Sequence, residues 1–260
     1  MTYLDKFVLE CHNTIFEDNK ECREALNYLT TRHITKNSIV FHKLGYCPYK
    51  FNIPTEIKEY GQDHSSVKKL DYSFRIRGRL IVPVYSEFGE IVGLATRRPS
   101  FEAGFSWWNL PFPKGNYLFM LDKARKYIFN DNEVFIVEGY MDALILWQAG
   151  LKTVVGLMGT KLNLRKIGLI ARYCDNICVS LDSDQNESGQ KARDKSISIL
   201  HKFGFENISE ITLPLKDGQK SADPSDFVAE QGLEEYKKLR KTLNISAIQK
   251  ICRSEKNAES

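Results

Sequence analysis

The stretch that decides the fold is Glu133-Val-Phe-Ile-Val-Glu-Gly-Tyr-Met-Asp142. Its apolar run, 134–137, predicts a strand buried on both faces of a parallel sheet, and the pattern after Gly139 predicts a helix. Glu138 therefore lies at the carboxyl end of a buried strand, where open α/β sheets bind their ligands. The same position also suits a residue that only caps the following helix. This stretch alone leaves both interpretations open.

A second acidic group follows a second apolar run. Residues 177–181 predict another buried strand, and Asp182-Ser183-Asp184 comes directly after it. An Asp-x-Asp sequence alone often marks a turn or a cap. Here a strand and two helices join it to Glu138, which follows an earlier strand. Carboxylates that converge without neutralisation repel each other, so we predict that these three bind a divalent cation.

Strands and helices alternate from Glu133 onward. The predicted strands are 134–137, 153–157, 177–181 and about 208–213, and the predicted helices are 141–149, 163–173 and 188–203. This order predicts an α/β fold with right-handed crossovers and a four-stranded, largely parallel sheet flanked by helices.

The N-terminal part has an α+β pattern. Residues 1–45 predict helices, including an amphipathic one at 21–32 and a short one that Thr35 caps and Gly45 ends. Residues 47–70 predict a loop. The segments 79–85 and 91–97 then predict a β-hairpin, in which Pro83 lies near an edge or a bulge.

Three motifs carry a family resemblance. Glu-Gly-Tyr-Met-Asp at 138–142, Leu-Met-Gly-Thr at 157–160 and Asp-Ser-Asp at 182–184 resemble the Toprim domain of bacterial DnaG-type DNA primases. With Leu-Gly-Tyr at 44–46, the resemblance covers roughly residues 20–235. It implies a Toprim fold and a DNA-directed RNA polymerase that synthesises short RNA primers on single-stranded DNA by metal-dependent nucleotidyl transfer.

The resemblance also implies roles for the acidic residues. Glu138, Asp182 and Asp184 would be catalytic and hold Mg²⁺, or Mn²⁺ in its place, with Glu138 also the candidate general base. Asp142 would either bind the metal or hold its ligands in place without contacting it, and Asp223 would be a further ligand.

The acidic motifs depart from the family pattern in two places. Asp223-Pro224-Ser225-Asp226 has serine where the family has its second aspartate and has Asp226 displaced by one, and a helix N-cap is an equally good interpretation of Asp223 and Asp226. Residues 185–189 insert two positions after Asp184, before the next helix.

Basic and aromatic residues surround the hairpin. Arg75, Arg77 and Arg79 alternate, which predicts one face of an extended segment that is either a phosphate-binding row or a solvated surface. Trp107 and Trp108 either stack on a base or pack their loop onto the hairpin. With the resemblance, the predicted nucleotide- and template-binding residues are Arg77, Arg79, Arg97, Arg98, Asn109, Lys114 and Lys161.

Composition and domain order complete the expectations. The 260 residues are 42% hydrophobic with a net charge of +4, which is typical of a globular protein and too mild to prove nucleic-acid binding. Six scattered cysteines lack a Cys-x₂-Cys pair, so no zinc is expected, and no signal peptide or long apolar segment is seen. We expect a cytoplasmic protein, in the host cytoplasm if phage-encoded, with no membrane partner.

Three domains are predicted: a primase-core subdomain at 1–130, a Toprim catalytic domain at 131–232 and a short helical tail at 233–260. The zinc-binding and helicase-binding domains of bacterial primases have no counterpart in these residues, which is expected of a phage or plasmid version. The expected partners are single-stranded DNA, ribonucleoside triphosphates, a replicative helicase and a separate zinc-binding protein.

Two other functions use parts of the same pattern. A Toprim nuclease or topoisomerase-like strand cleaver employs the same carboxylates. A non-catalytic single-stranded-DNA or helicase-loading module would keep the fold alone, but it would retain repelling charges at a cost.

Overall fold

The computed structural model describes residues 1–61, 70–99, 107–159, 161–185 and 188–258. The chain divides into two compact units, Met1–Pro113 and Lys114–Ser260. Within the described ranges, no helix is both long enough and apolar enough to cross a membrane.

The first unit combines helices with an antiparallel sheet. Its helices are α1 (Tyr3–Thr14), α2 (Lys20–Thr31), α3 (Lys36–Phe41) and α4 (Thr55–Lys58), and a 3₁₀-helix covers Tyr72–Arg75. Its strands are β1 (Gly45–Cys47), β2 (Arg79–Tyr85), β3 (Ile91–Arg97) and β4 (Trp107–Asn109), in the order β1-β2-β3-β4.

The core of this unit forms between α1 and the sheet. Leu4, Phe7, Val8 and Cys11 recur at helical spacing and are all buried, so α1 presents one apolar face. They join a cluster that includes Ile57 of α4 and apolar residues of the hairpin. Burial of this face stabilises α1 against the sheet.

The predicted hairpin is confirmed, and Pro83 fits the predicted irregularity. β1 pairs with residues 79–81 of β2, so among the described strands Pro83 has a partner on one side, in β3. A register shift follows at Val84/Tyr85. Thr35 caps α3 as predicted, since its hydroxyl accepts a hydrogen bond from the Ser38 N–H. Gly45 begins β1, however, and does not end the helix.

The second unit carries the parallel sheet. After a 3₁₀-helix at Lys114–Asn116, its helices are α5 (Leu121–Asp131), α6 (Tyr140–Gln148), α7 (Leu164–Ile170), α8 (Ser188–Lys202), α9 (Pro224–Gln231), α10 (Leu233–Lys238) and α11 (Ile245–Ala258). Its strands are β5 (Glu133–Val137), β6 (Val154–Gly156), β7 (Asn176–Val179), β8 (Ser183–Asp184), β9 (Asn207–Ile211), β10 (Ser221–Ala222) and β11 (Arg240–Thr242). The unit boundary places α5 with the parallel sheet, whereas the sequence pattern predicts a first subdomain that extends to residue 130.

The main sheet has five strands, one more than predicted. The four predicted strands are present and mutually parallel, and the full order is β11-β9-β7-β5-β6. The fifth strand, β11, comes from the tail that was predicted to be helical, and it pairs antiparallel with β9. Arg240 anchors it through an ion pair with Glu133 at 2.5 Å and a hydrogen bond to the Ser209 hydroxyl.

Candidate functional site

The structure brings the Asp182–Asp184 segment next to Asp223. Asp182 follows β7, and β8 then pairs antiparallel with β10, with Asp184 opposite Ser221 and Ser183 opposite Ala222. Asp223 is the residue after β10. A two-residue ladder therefore joins two acidic segments that lie about 40 residues apart in the chain.

Glu138 does not cap the helix that follows it. α6 begins after Gly139, and its capping carboxylate is Asp142, whose Oδ2 accepts a hydrogen bond from the Gly139 N–H at 3.0 Å. The other oxygen of Asp142 accepts from the Ser225 N–H at 3.2 Å. Asp142 thus joins the starts of α6 and α9. Glu138 is half-buried at the end of β5 and is not needed for the cap.

Asp223 is the N-cap of α9. Its Oδ1 accepts hydrogen bonds from the Asp226 N–H at 2.8 Å and from the Ser225 hydroxyl at 2.7 Å. The capping interpretation of Asp223 is therefore confirmed, and Asp226 is exposed. Ser225, which replaces the second acid of the family pattern, is buried and links Asp223 to Asp142.

Burial and neighbouring carboxylates raise the pKa values of three of these side chains. Burial, followed by the charges of Asp142, Glu138, Asp223 and Asp184, raises the pKa of Asp182 to about 8. Burial and the charge of Asp184 raise the pKa of Glu138. Burial and Asp223 raise the pKa of Asp142 to about 6. Asp182 therefore has the largest pKa shift of the three, and it is surrounded by the charges of the other carboxylates.

The donor set suits a hard divalent cation. Asp182 Oδ1 is buried without a hydrogen-bond partner in the described residues, so a ligand of opposite charge would satisfy it. Among the described residues, no three His, Cys, Asp or Glu side chains are arranged to hold a metal by themselves. Mg²⁺ normally takes one or two protein carboxylates and keeps several waters, so a sparse set of oxygen donors fits this ion.

Gly189 allows the helix after the acidic pair to lie against it. Its N–H donates to Asp184 Oδ2 at 3.1 Å, and a Cβ at this position would lie 1.8 Å from the backbone oxygen of Asp182. Any side chain here would displace the acidic segment. Residues 186 and 187, part of the inserted stretch, lie outside the described residues.

The predicted row of arginines is wrong. Arg75 lies in a 3₁₀-helix and Arg77 in the turn that ends at Gly78, so the segment before β2 is not extended. Arg79 is 3% exposed, and its guanidinium donates to the hydroxyl and backbone oxygen of Thr96. Burial and the nearby charges of three arginines lower its pKa to about 10. Those arginines are Arg98, Arg75 and Arg97.

Arg97 contacts two aromatic rings. Its guanidinium carbon is 5.4 Å from the ring centroid of Tyr28 and 5.2 Å from that of Trp107, and its Nε donates to the Tyr28 hydroxyl. Trp108 packs against the core of the first unit, as the packing alternative predicted. Asn109 pairs with Ala95 in the sheet, Arg98 is exposed, and half-buried Arg77 donates to the Phe51 backbone oxygen at 3.3 Å.

Lys114 contacts the loop that follows β6. Its Nζ donates to the Met158 backbone oxygen at 3.4 Å, and burial lowers the pKa of Lys114. In the same loop the Gly159 N–H donates to the Glu138 backbone oxygen at 3.2 Å. One short loop therefore contacts both the Lys114 ammonium and the Glu138 backbone. Lys161 is exposed just beyond it, and Thr160 lies outside the described residues.

The sequence interpretation missed Asn163 and Lys166. Asn163 is the N-cap of α7 and donates through Nδ2 to the Gly115 backbone oxygen at 3.0 Å. Lys166 is fully buried, and its Nζ donates to the Leu157 backbone oxygen at 2.7 Å. The position of Lys166 four residues before Ile170, on the apolar face of the helix, was the available sign of burial.

Two family models match the chain. The model of the DNA primase catalytic core, N-terminal domain, matches residues 11–125, and the Toprim-like model matches residues 135–228. The DNA primase of Synechococcus elongatus is 28% identical over 232 residues, which are 83% of this chain and 33% of that protein. The DNA primase of Aquifex aeolicus is 28% identical over 229 residues, 84% of this chain and 44% of the other. The chain thus spans less than half the length of these relatives.

Solved structures share the fold. The DnaG primase catalytic domain bound to single-stranded DNA superposes with a TM-score of 0.76 at 21% identity, over 95% of this chain and 82% of that one. The zinc-binding and RNA polymerase domains of Aquifex aeolicus primase give a TM-score of 0.71 at 24% identity, over 94% and 63% of the two chains.

Proposed function

Because the chain belongs to the family of DnaG-type primase catalytic cores, we propose that it synthesises short RNA primers on single-stranded DNA by metal-dependent nucleotidyl transfer. The observation that carries the proposal is an oxygen of Asp182 that is buried and has no hydrogen-bond partner among the described residues. Other carboxyl groups of the Toprim-like unit lie close to it and raise its pKa further than burial alone would. Burying such a group costs folding free energy, and a bound cation would satisfy it.

In the proposed reaction the 3′-hydroxyl of one nucleotide attacks the α-phosphate of the next, and pyrophosphate leaves. Asp182, Asp184 and Glu138 would hold Mg²⁺ or Mn²⁺, which when bound neutralises phosphate charge and lowers the pKa of the attacking hydroxyl. Glu138 is half-buried with a raised pKa, which suits a group that accepts a proton. Asp142 and Asp223 fix the surrounding backbone through their capping bonds.

The basic side chains supply phosphate contacts in this proposal. Lys114 and Lys161 would bind the triphosphate in the Toprim-like unit. In the first unit, Arg77, Arg97, Arg98 and Asn109 would bind the template, in keeping with the single-stranded DNA bound by the similar DnaG domain. Arg79 is buried in the sheet, so we assign it to structure and not to template contact.

The direct test is synthesis of labelled oligoribonucleotides by the purified chain on single-stranded DNA, with Mg²⁺ or Mn²⁺ and with EDTA as the control. We expect metal-dependent RNA products. Cleavage of the DNA without RNA synthesis would support the strand-cleaving alternative, and DNA binding without either reaction would support the non-catalytic one.

Template binding should depend on the three arginines near the hairpin that are not buried in the sheet. Changing Arg77, Arg97 and Arg98 together to Gln should reduce the slope of log affinity against log salt by about 0.7 for each phosphate that the variant no longer neutralises. The measurement is fluorescence anisotropy of labelled single-stranded DNA at several salt concentrations, with thermal melting to verify folding.

The control for this measurement removes the same number of charges elsewhere. Lys237, Lys238 and Lys241 are exposed in the C-terminal part of the second unit, and changing all three to Gln should leave most of the slope. Equal reductions in the two variants would show that binding responds to net charge alone, and would contradict the assignment of the arginines.

A further inference from the structure

We propose that Asn163 and Lys166, at the start of α7, are positioning residues that hold Lys114 in the orientation in which it binds the triphosphate of the incoming ribonucleotide. This inference rests on the proposed function. It concerns two residues that the acidic and basic motifs do not include.

Asn163 uses both ends of its amide. Oδ1 accepts a hydrogen bond from the Lys166 N–H at 3.0 Å and so caps α7, while Nδ2 donates to the Gly115 backbone oxygen at 3.0 Å. A Cβ on Gly115 would lie only 3.1 Å from Nδ2, so the approach is close. The start of α7 is thus tied directly to the residue after Lys114.

Two lysines hold successive carbonyl groups of one loop. Lys166 Nζ donates to the Leu157 oxygen at 2.7 Å, and Lys114 Nζ donates to the Met158 oxygen at 3.4 Å. Met158 and Gly159 have φ values of +61° and +65°, a conformation that a methionine adopts only when its surroundings impose it. Both ammonium groups donate to carbonyl groups of this turn.

The two ammonium groups also influence each other. Burial and the charge of Lys114 lower the pKa of Lys166 to about 7. A fully buried lysine beside a second cation costs folding free energy, and a buried apolar residue of similar size would avoid that cost. The arrangement therefore favours a role for Lys166 beyond packing.

The same loop connects these lysines to the acidic side of the site. The Leu157 N–H donates to the Val137 oxygen at 2.9 Å, and the Gly159 N–H donates to the Glu138 oxygen at 3.2 Å. A shift of the loop would therefore change the distance between Lys114 and Glu138. The start of α7 contacts the loop through Lys166 and the backbone next to Lys114 through Asn163. These two contacts together would restrict this distance.

The test separates the two functions of Asn163. Asn163→Asp and Asn163→Ser both keep an oxygen that caps α7, and both lose the amide donor to Gly115. We expect each to raise the KM for ATP about fivefold, with kcat changed less than about twofold, in extension of an oligo(rA) primer on oligo(dT). Melting temperatures should stay within about 2 °C of the unmodified chain. Asn19→Asp, the same change at the N-cap of α2, is the matched control and should leave the KM unaltered.

Lys166→Met tests the second contact, because it keeps the volume of the side chain and removes the ammonium. We expect the KM for ATP to rise about fivefold, without a loss of thermal stability. A changed melting temperature with an unchanged KM would show that Lys166 only packs the core, and would overturn its assignment.

A double-mutant cycle with Lys114→Ala decides whether these residues act through Lys114. The Asn163→Ser change should weaken binding of fluorescently labelled ATP in the unmodified chain and have little further effect when Lys114 is already alanine. Additive effects of the two changes would overturn the inference. Absence of RNA synthesis by the unmodified chain would instead contradict the proposed function, and the labelled-ATP cycle would still test the positioning roles.

Discussion

Replacing Asp182 by Asn is expected to reduce ribonucleotide incorporation by about 100- to 1,000-fold, the loss typical of removing one preorganised electrostatic group. Asparagine keeps the shape of the side chain and removes the charge. The reason lies in the position of Asp182, where burial and four other carboxylates raise its pKa and one of its oxygens is buried without a partner in the described residues. Steady-state incorporation of labelled nucleotide measures the effect.

The matched control is Asp226→Asn. Asp226 lies three residues after Asp223 at the start of α9, but its side chain is exposed, so this change should leave incorporation nearly unaltered. Asp184→Asn should behave like Asp182→Asn. If Asp182→Asn retained more than about a tenth of normal incorporation, the assignment of Asp182 to the metal would be wrong.

The acidic framework was predictable because it depends on local patterns. Apolar runs at 134–137 and 177–181 specify buried strands, and the carboxylates that follow them must then lie at the same edge of a parallel sheet. The structure confirms both strands and their parallel pairing. The Asp223 alternatives could not be separated from sequence, because a ligand and an N-cap are both carboxylates at the start of a helix.

The contacts that depend on tertiary packing were not predictable in the same way. Alternating arginines predicted an extended face, but Gly78 turns the chain and Arg79 enters the sheet beside Thr96. The short strand β11 has no apolar alternation, and its Arg240 bonds to Ser209 on the adjacent strand β9 and to Glu133 on β5, further along the sheet. Both cases are decided by partners distant in the chain, which override local preference.

The carboxyl cluster should also make stability depend on pH. Without a divalent cation, the free energy of unfolding is expected to fall as the pH rises from about 4 to 7, relative to that of Asp182→Asn. The folded-state pKa of Asp182 is raised from 3.8 to about 8, so between these values the folded chain binds more protons than the unfolded chain. Its stabilising contribution is complete below the unfolded pKa and is lost as the pH rises toward the folded pKa. At pH 7, Asp182→Asn should be more stable than the unmodified chain by about 1–3 kcal/mol.

The upper end of this pH range is set by Lys166. Its folded-state pKa is lowered to about 7, so above that pH its contribution to stability increases with pH and opposes the effect of Asp182. Urea denaturation at intervals from pH 4 to 7 therefore measures the contribution of the carboxyl groups to the free energy of unfolding without that of Lys166.

Mg²⁺ binds ionised carboxylates, so its stabilising effect should increase over the same interval and reach about 2.7 kcal/mol at a concentration about 100 times the Kd. Asp182→Asn should depend less on pH, with the part due to Asp142 and Glu138 remaining, and should lose most of the response to Mg²⁺. Parallel curves for the two proteins, with equal shifts on adding Mg²⁺, would show that Asp182 neither carries the excess charge nor holds the cation.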